Sequence, residues 1–230
     1  MLNTWLARHR GCLSSGTMIF ALVTAFGAIS SPLTVSAQNS SKKPIIIFDL
    51  VANPQFANCL RRSQTEEPRA RATVVRGDLN DVLTLNLSGI KPGLQFDLFT
   101  VQRTSLLDAS TPNPAFKGSF GLAWYQSDIH IGSNGLGQVR IKTILLDQIF
   151  GFDPDVALKP TNTFHLGFWF NNPKDAAACG FPANNPAKFT PFNGEHKAGP
   201  LAMISVPNPH TKLGPLCTDP DPSKPGGCNP

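Results

Sequence analysis

Charge is scarce in this chain. Of 230 residues, 20 are basic and 15 acidic, and the glutamates are Glu66, Glu67 and Glu195 alone. Hydrolysis of a glycosidic bond needs two carboxylates facing a sugar, and no spacing among the acids here marks such a pair. A formal net charge of +5 gives no basic footprint for nucleic acid. The densest basic run, 61–76 (RRSQTEEPRARATVVR), is interrupted by Glu66 and Glu67 and reads as a solvated face. Motifs of covalent chemistry are missing as well. There is no Gly-x-Ser-x-Gly elbow, no glycine-rich phosphate loop between a strand and a helix, and no Cys-x-x-Cys pair. Helical periodicity is poor: 145–150 (LLDQIF) and 175–178 (DAAA) have room for a turn or two each. Beyond the first 37 residues no apolar run reaches the length of a membrane span, so none is expected in the mature chain.

What is present is apolar and turn-rich. Hydrophobic residues make up 41%, too many for a disordered chain of this low charge, and 19 glycines and 21 prolines punctuate them. The N-terminus reads as an export signal. Arg8 and Arg10 give a positive start, 17–29 (TMIFALVTAFGAI) is apolar, Pro32 breaks the helix, and Val35-Ser36-Ala37 supplies the small residues of a cleavage site. The apolar stretch would make roughly 20 Å of helix, short of the roughly 30 Å hydrocarbon core. Cleavage is placed after Ala37, leaving Gln38–Pro230 with a charge of +3, since two arginines and no acid are lost. The expected location is secreted or periplasmic.

Four cysteines remain after cleavage: Cys59, Cys179, Cys217 and Cys228. An even number in an exported chain points to two disulfides, of which three pairings exist. Cys217–Cys228 closes a short Pro/Gly-rich loop and is favoured, which leaves Cys59–Cys179 as a tie across most of the domain.

Strand-like runs fill the middle of the chain. They are 44–51 (PIIIFDLV), 71–76 (RATVVR), 81–88 (DVLTLNLS), 94–102 (LQFDLFTVQ), 121–131 (GLAWYQSDIHI), 137–146 (GQVRIKTILL), 163–170 (TFHLGFWF) and 200–206 (PLAMISV). In 81–88, Leu83, Leu85 and Leu87 alternate with polar partners and face inward. Gly132-Ser133-Asn134-Gly135 between two runs is the strongest hairpin signal. About eight short strands divided by Pro, Gly and Asn predict an all-β antiparallel sandwich with long loops. The proposed organisation is 1–37 signal peptide, 38–206 β-sandwich and 207–230 an extended Pro/Gly-rich tail stapled by its own disulfide. The segment 171–198, with four prolines, reads as a long loop pinned by Cys179.

One local motif carries a resemblance. Residues 83–101 run strand, Gly89-Ile90-Lys91-Pro92-Gly93, strand. This resembles the crossing between sheets in fibronectin type III and related immunoglobulin-like domains, with its Leu-x-Pro-Gly-x-x-Tyr run. Ile90, Pro92 and Gly93 match; Phe96 stands where the tyrosine would be, without its hydroxyl. The resemblance implies an immunoglobulin-like sandwich, similar to exported bacterial proteins carrying such domains, and nothing about activity. A fainter similarity is to copper–zinc superoxide dismutase, but Phe96, Leu98 and Thr100 stand where its His-x-His pair would follow the turn.

Three functional readings follow. The first is a non-catalytic binding, adhesion or envelope-structural role toward an unknown protein or glycan partner, with no cofactor. The second is a copper or zinc site, in which His130, His165 and His196 converge beside Glu195 or Asp128. The third is a carbohydrate-binding module. Trp124 and Tyr125 face opposite ways on one strand, as do Phe168 and Trp169 on another, so Trp124 or Trp169 would be exposed to stack on a sugar unless covering loops bury both faces.

Overall fold

A computed structural model describes residues 45–77, 79–143, 163–182, 192 and 198–217. The signal-peptide stretch, the 145–150 segment, His196 and Cys228 lie outside the described residues. Contacts divide the chain into two units, Met1–Ser40 and Ser41–Pro230, and all that follows concerns the second.

Alternation of apolar and polar residues sets the first strands. In β1 (Ile45–Ala52), β2 (Arg69–Val75) and β3 (Asp81–Ser88), every second side chain turns inward: Ile46, Phe48 and Leu50, then Ala70, Ala72 and Val74, then Leu83, Leu85 and Leu87. The chain then crosses to β4 (Gln95–Val101) and runs through β5 (Ala123–His130), β6 (Gly137–Thr143), β7 (Thr163–Phe170), β8 (Leu201–Ser205) and a two-residue β9 (Leu216–Cys217). Seven of the eight expected strands begin and end within about two residues of the expected runs; β6 is described only to Thr143.

All pairings are antiparallel, in the order β5-β4-β7-β8-β1-β2-β3-β6. The expectation of two packed sheets is therefore corrected. The eight strands form one continuous sheet that curves through 290° into a near-barrel. Alternating burial is the same for a sandwich and a barrel; only the β7-β8-β1 pairings, which join the two would-be sheets into one wall, tell them apart.

The ends of that wall, β5 and β6, lie side by side. The Gly132–Gly135 turn does connect them, with Gly132 N–H donating to the Leu136 carbonyl at 2.9 Å. Among the described residues no backbone ladder continues from it, so the hairpin expectation holds for the turn and fails for the pairing. The seam is bridged by side chains instead. A β-bulge opposite Leu98/Phe99 leaves Gln126 as the extra residue of β5. Gln126 Nε2 donates to Thr100 Oγ1 (3.1 Å), and Thr143 Oγ1 on β6 donates to Gln126 Oε1 (2.7 Å).

The resemblance-bearing turn does what a crossing should. β3 and β4 are not neighbours in the sheet, and the 89–94 connection passes from one side of the near-barrel to the other. Ile90 is fully buried and Gly93 takes the left-handed φ of 83° that the reversal requires. Phe96 fills the inside, against Phe168 at 4.9 Å and Phe170 at 5.2 Å.

This end of the near-barrel is closed. The short α1 (Ala57–Leu60) follows β1 there, and Lys91 N–H donates to the Leu60 carbonyl while Arg62 N–H donates to that of Gly89. Helix α2 (Pro173–Ala178) sits beyond β7, capped by Asn172, whose side chain accepts from Lys174 N–H at 2.9 Å, with Pro173 in its first turn. Phe56 packs edge-on to Phe170 at 5.3 Å and near Phe181 at 6.3 Å, plugging the interior. The disulfide Cys59–Cys179 joins α1 to the end of α2, as the sequence reading favoured. Cys217 is also disulfide-bonded, with a partner outside the described residues.

A second core lies outside the sheet. Phe99, Val101, Trp169, Leu201 and Ile204 project outward from β4, β7 and β8, and the 102–122 loop covers them with Leu106 and Phe120. Every residue of β7 is therefore buried. No helix among the described residues is long and apolar enough to cross a membrane.

Candidate functional site

The end opposite the helices is where polar side chains meet in a concavity. His165 stands on the outward face of β7, one residue from Phe164 and Leu166, which fill the barrel. It is 5% exposed. Its Nδ1 lies 3.1 Å from the Ser205 carbonyl and 3.3 Å from Ser205 Oγ, on the neighbouring β8. A carbonyl can only accept, so Nδ1 carries the proton and Nε2 keeps its lone pair. Ser205 Oγ also accepts from Leu166 N–H at 3.0 Å. Burial pushes the imidazole pKa down to about 4, against a small upward pull from the Ser205 carbonyl, so the ring is neutral at pH 7.

The chain beyond β8 comes back over this histidine. Where β8 ends, β9 takes over the same edge of β7, pairing Cys217 with Thr163 and Leu216 with Phe164. That brings Gly214 against the ring. A Cβ on Gly214 would stand 2.4 Å from the Phe164 carbonyl oxygen and 3.0 Å from His165 Nε2, so a side chain has no room there. Thr163 Oγ1 donates to the Gly214 carbonyl at 3.3 Å.

The cavity in front of His165 has a volume of about 350 Å³. Two loops line it. The 102–122 loop gives Gln102, Arg103, Thr104 and Asn113, and the loop after β8 gives Lys212. The loops are held by their own hydrogen bonds. Asn113 Nδ2 donates to the Thr104 carbonyl (2.9 Å) and Gln102 Oε1 accepts from Leu122 N–H (2.7 Å). Asp108 accepts from Ser110 N–H and Thr111 N–H, both at 2.8 Å, and these bonds hold its pKa down at about 2. Asn208 accepts from His210 N–H and Thr211 N–H, shaping the turn that carries Lys212 in a left-handed conformation, φ 62°.

The structure separates the histidines of the expected metal set. His130 pairs with Gln95 at one end of β4, and His165 pairs with Val101 at the other. Six residues of strand put them about 20 Å apart. His130 is exposed at the closed end, and His196 lies outside the described residues. No group of three metal-ligating side chains occurs among the described residues. The bulge also puts Trp124 and Asp128 on opposite faces of β5. Asp128 pairs with Asp97 and Tyr125 with Phe99 on the outer side, whereas Trp124 pairs with the inward Thr100.

The two tryptophans differ. Trp169 is 3% exposed, edge-on to Phe99 (5.5 Å) and Phe120 (5.1 Å), buried by the covering loop. Trp124 is 41% exposed at the rim of the sheet, on the other face from His165. Tyr125 donates to Asp128 at 2.9 Å; burial and this bond push the phenol up to about 12.

The sequence reading singled out His165, as one of three candidate metal ligands, and missed its neighbours. Arg103 and Lys212 come from loops more than a hundred residues apart, with no shared motif; the only sequence signal at either is the Asn208-Pro209 turn. No family model, curated protein or solved structure matches the chain.

Proposed function

We propose that this chain is an exported, non-catalytic binding protein whose ligand sits in the cleft over His165. Export rests on the N-terminal pattern of Arg8, Arg10, the 17–29 apolar stretch and Val35-Ser36-Ala37, and the Cys59–Cys179 bond is in keeping with an oxidising compartment. The observation that carries the binding reading is the cleft itself: a preformed concavity between the outer face of β7 and the loops that cover it, with a buried, orientationally fixed imidazole at its floor. A binding role is favoured over a nucleophilic one because Ser205, the hydroxyl beside His165, is fully buried and already accepts from the Leu166 backbone. The immunoglobulin-like kinship implied by the 89–96 turn belongs to this proposal too, as a scaffold that presents loops at one end.

The experiment has two arms. Protein recovered from the extracytoplasmic fraction should begin at Gln38. A thermal-shift screen of small anions, neutral sugars and amines, followed by NMR of the His165 ring, should find a ligand that moves the His165 resonances. A library that raises no melting temperature and moves no His165 signal defeats the reading.

A further inference from the structure

Cations without a carboxylate within 4.0 Å are common among the described residues, Arg69, Lys91, Lys117, Arg140, Lys142 and Lys174 being examples; what the cleft adds is two of them lining one cavity. Arg61, Arg62, Arg71 and Arg76 each lie within 4.0 Å of a carboxylate, on Glu67, Glu66, Asp49 and Asp81 respectively. Arg103 and Lys212 have no such partner among the described residues, and no Asp or Glu is among the described residues that line the cavity. Two cations thus face one small concavity, with no acid among the described residues of its lining.

Lys212 adds a second, independent observation. Its φ of 62° lies in the region that favours glycine, and asparagine next after it. A lysine there is strained, although the Asn208 turn that holds it would accept a glycine without strain. A strained residue that carries a charge at the lip of a cavity is the kind of outlier that points to a site.

His165 supplies the complementary group. With Nδ1 donating to Ser205, Nε2 is an acceptor, and among the described residues it makes no hydrogen bond. A neutral acceptor at the floor cannot hold the anionic group itself. It can accept from a hydroxyl carried on the same molecule.

We propose that the cleft binds a small organic anion bearing a hydroxyl group, of the sugar-acid or hydroxy-acid class, with Arg103 and Lys212 holding the carboxylate and His165 Nε2 accepting from the hydroxyl. This rests on the cleft being a binding site and adds the ligand's chemistry. At about 350 Å³ the cavity is at the small end for ligand pockets, which suits a single sugar ring or smaller and excludes a long chain.

The full chain, purified from an export-competent host, is titrated by calorimetry and NMR with glucuronate, glucose, glucosamine and inorganic phosphate. Glucuronate is expected to bind at least tenfold more tightly than glucose, to shift the His165 ring signals, and to weaken as salt rises. Arg103→Ala and Lys212→Gly should each weaken it about tenfold. Lys212→Gly should do so with an unchanged or higher melting temperature, because it relieves the backbone while removing the charge; a merely structural Lys212 would move stability and leave affinity alone. Phosphate binding as tight as glucuronate, with no His165 shift, overturns the hydroxyl assignment. Glucose or glucosamine binding equally well in the cleft overturns the anion and leaves the binding site standing. Failure of every probe to move the His165 signals overturns both.

Discussion

The two halves of this sheet are built from different kinds of strand. In β1, β2, β3 and β6 burial alternates, so one face fills the barrel and the other meets water: Arg71 reaches Asp49 there at 2.7 Å, and Gln138 reaches Asn86 at 2.7 Å. In β4, β7 and β8 nearly every residue is buried, because loops cover the outer face as well. Residues 163–170 (TFHLGFWF) show this in their composition: an unbroken apolar run belongs to a strand with two dry faces. The difference decides where chemistry can sit. A water-facing strand solvates any histidine it carries, as His130 shows on the edge strand β5. Only the doubly covered half can strip water from one, fix its tautomer and leave it beside a cavity, as at His165.

The largest test joins the halves. Cys59 follows β1 and Cys179 follows β7, at a sequence separation of 120. Replacing both by alanine should lower stability in urea by up to about 5 kcal/mol on the chain-entropy account. A loss confined to local fraying of α1 and α2 in hydrogen exchange would show that the halves hold together without it.

Next comes the contrast itself. Trp169→Ala removes an outward side chain from the covered half and should cost about 3–5 kcal/mol. Ile47→Ala removes one from the outer face of β1, where it is 61% exposed, and should cost well under about 1 kcal/mol. Equal costs would mean that both faces of β1 are dry and the contrast is false.

The buried imidazole predicts a pH effect of similar size. Unfolded histidine titrates near 6.5 and His165 near 4 in the fold, so below pH 6.5 the unfolded chain takes up a proton that the folded chain refuses. Stability should therefore fall as pH drops from about 6.5 to about 4, by roughly 3 kcal/mol, and this component should be flat outside that window. Carboxylates titrate nearby, so the measurement is the difference in slope between the native chain and His165→Asn, which keeps a donor for Ser205. Parallel slopes would place His165 in water.

The smallest effect concerns the seam. Gln126→Ala breaks two side-chain hydrogen bonds and should cost about 1–2 kcal/mol, with exchange rising in β5 and β6 and not in β4.

These contrasts also show what a sequence can carry. Strand limits were legible because alternation and Pro/Gly punctuation are local. The covered half was legible in part, since Phe168 and Trp169 cannot both face a single core. The Cys59–Cys179 tie followed from the even count together with the short Pro/Gly-rich loop that favours pairing Cys217 with Cys228. The join of the would-be sheets was not legible, because neighbours such as β7 and β8 are chosen by distant geometry that leaves alternation unchanged. The bulge at Gln126 was hidden for a related reason: one inserted residue swaps faces for everything before it, and no residue type announces it. The cleft was least visible, since its two cations meet only after the loops that carry them have folded onto the His165 face.

One consequence of the side-chain bridge remains. Every other pair of neighbours along the wall is laced by a row of main-chain bonds, while among the described residues β5 and β6 are joined by the Gly132–Gly135 turn and by the side chain of Gln126. Elastic weakness is thus concentrated along one line. Under tension or heat the two borders should part first along that line, hinged at the 132–135 turn, and Arg140 and Lys142 on the β6 border would repel the same border of another copy and so guard it against sticking to its own kind.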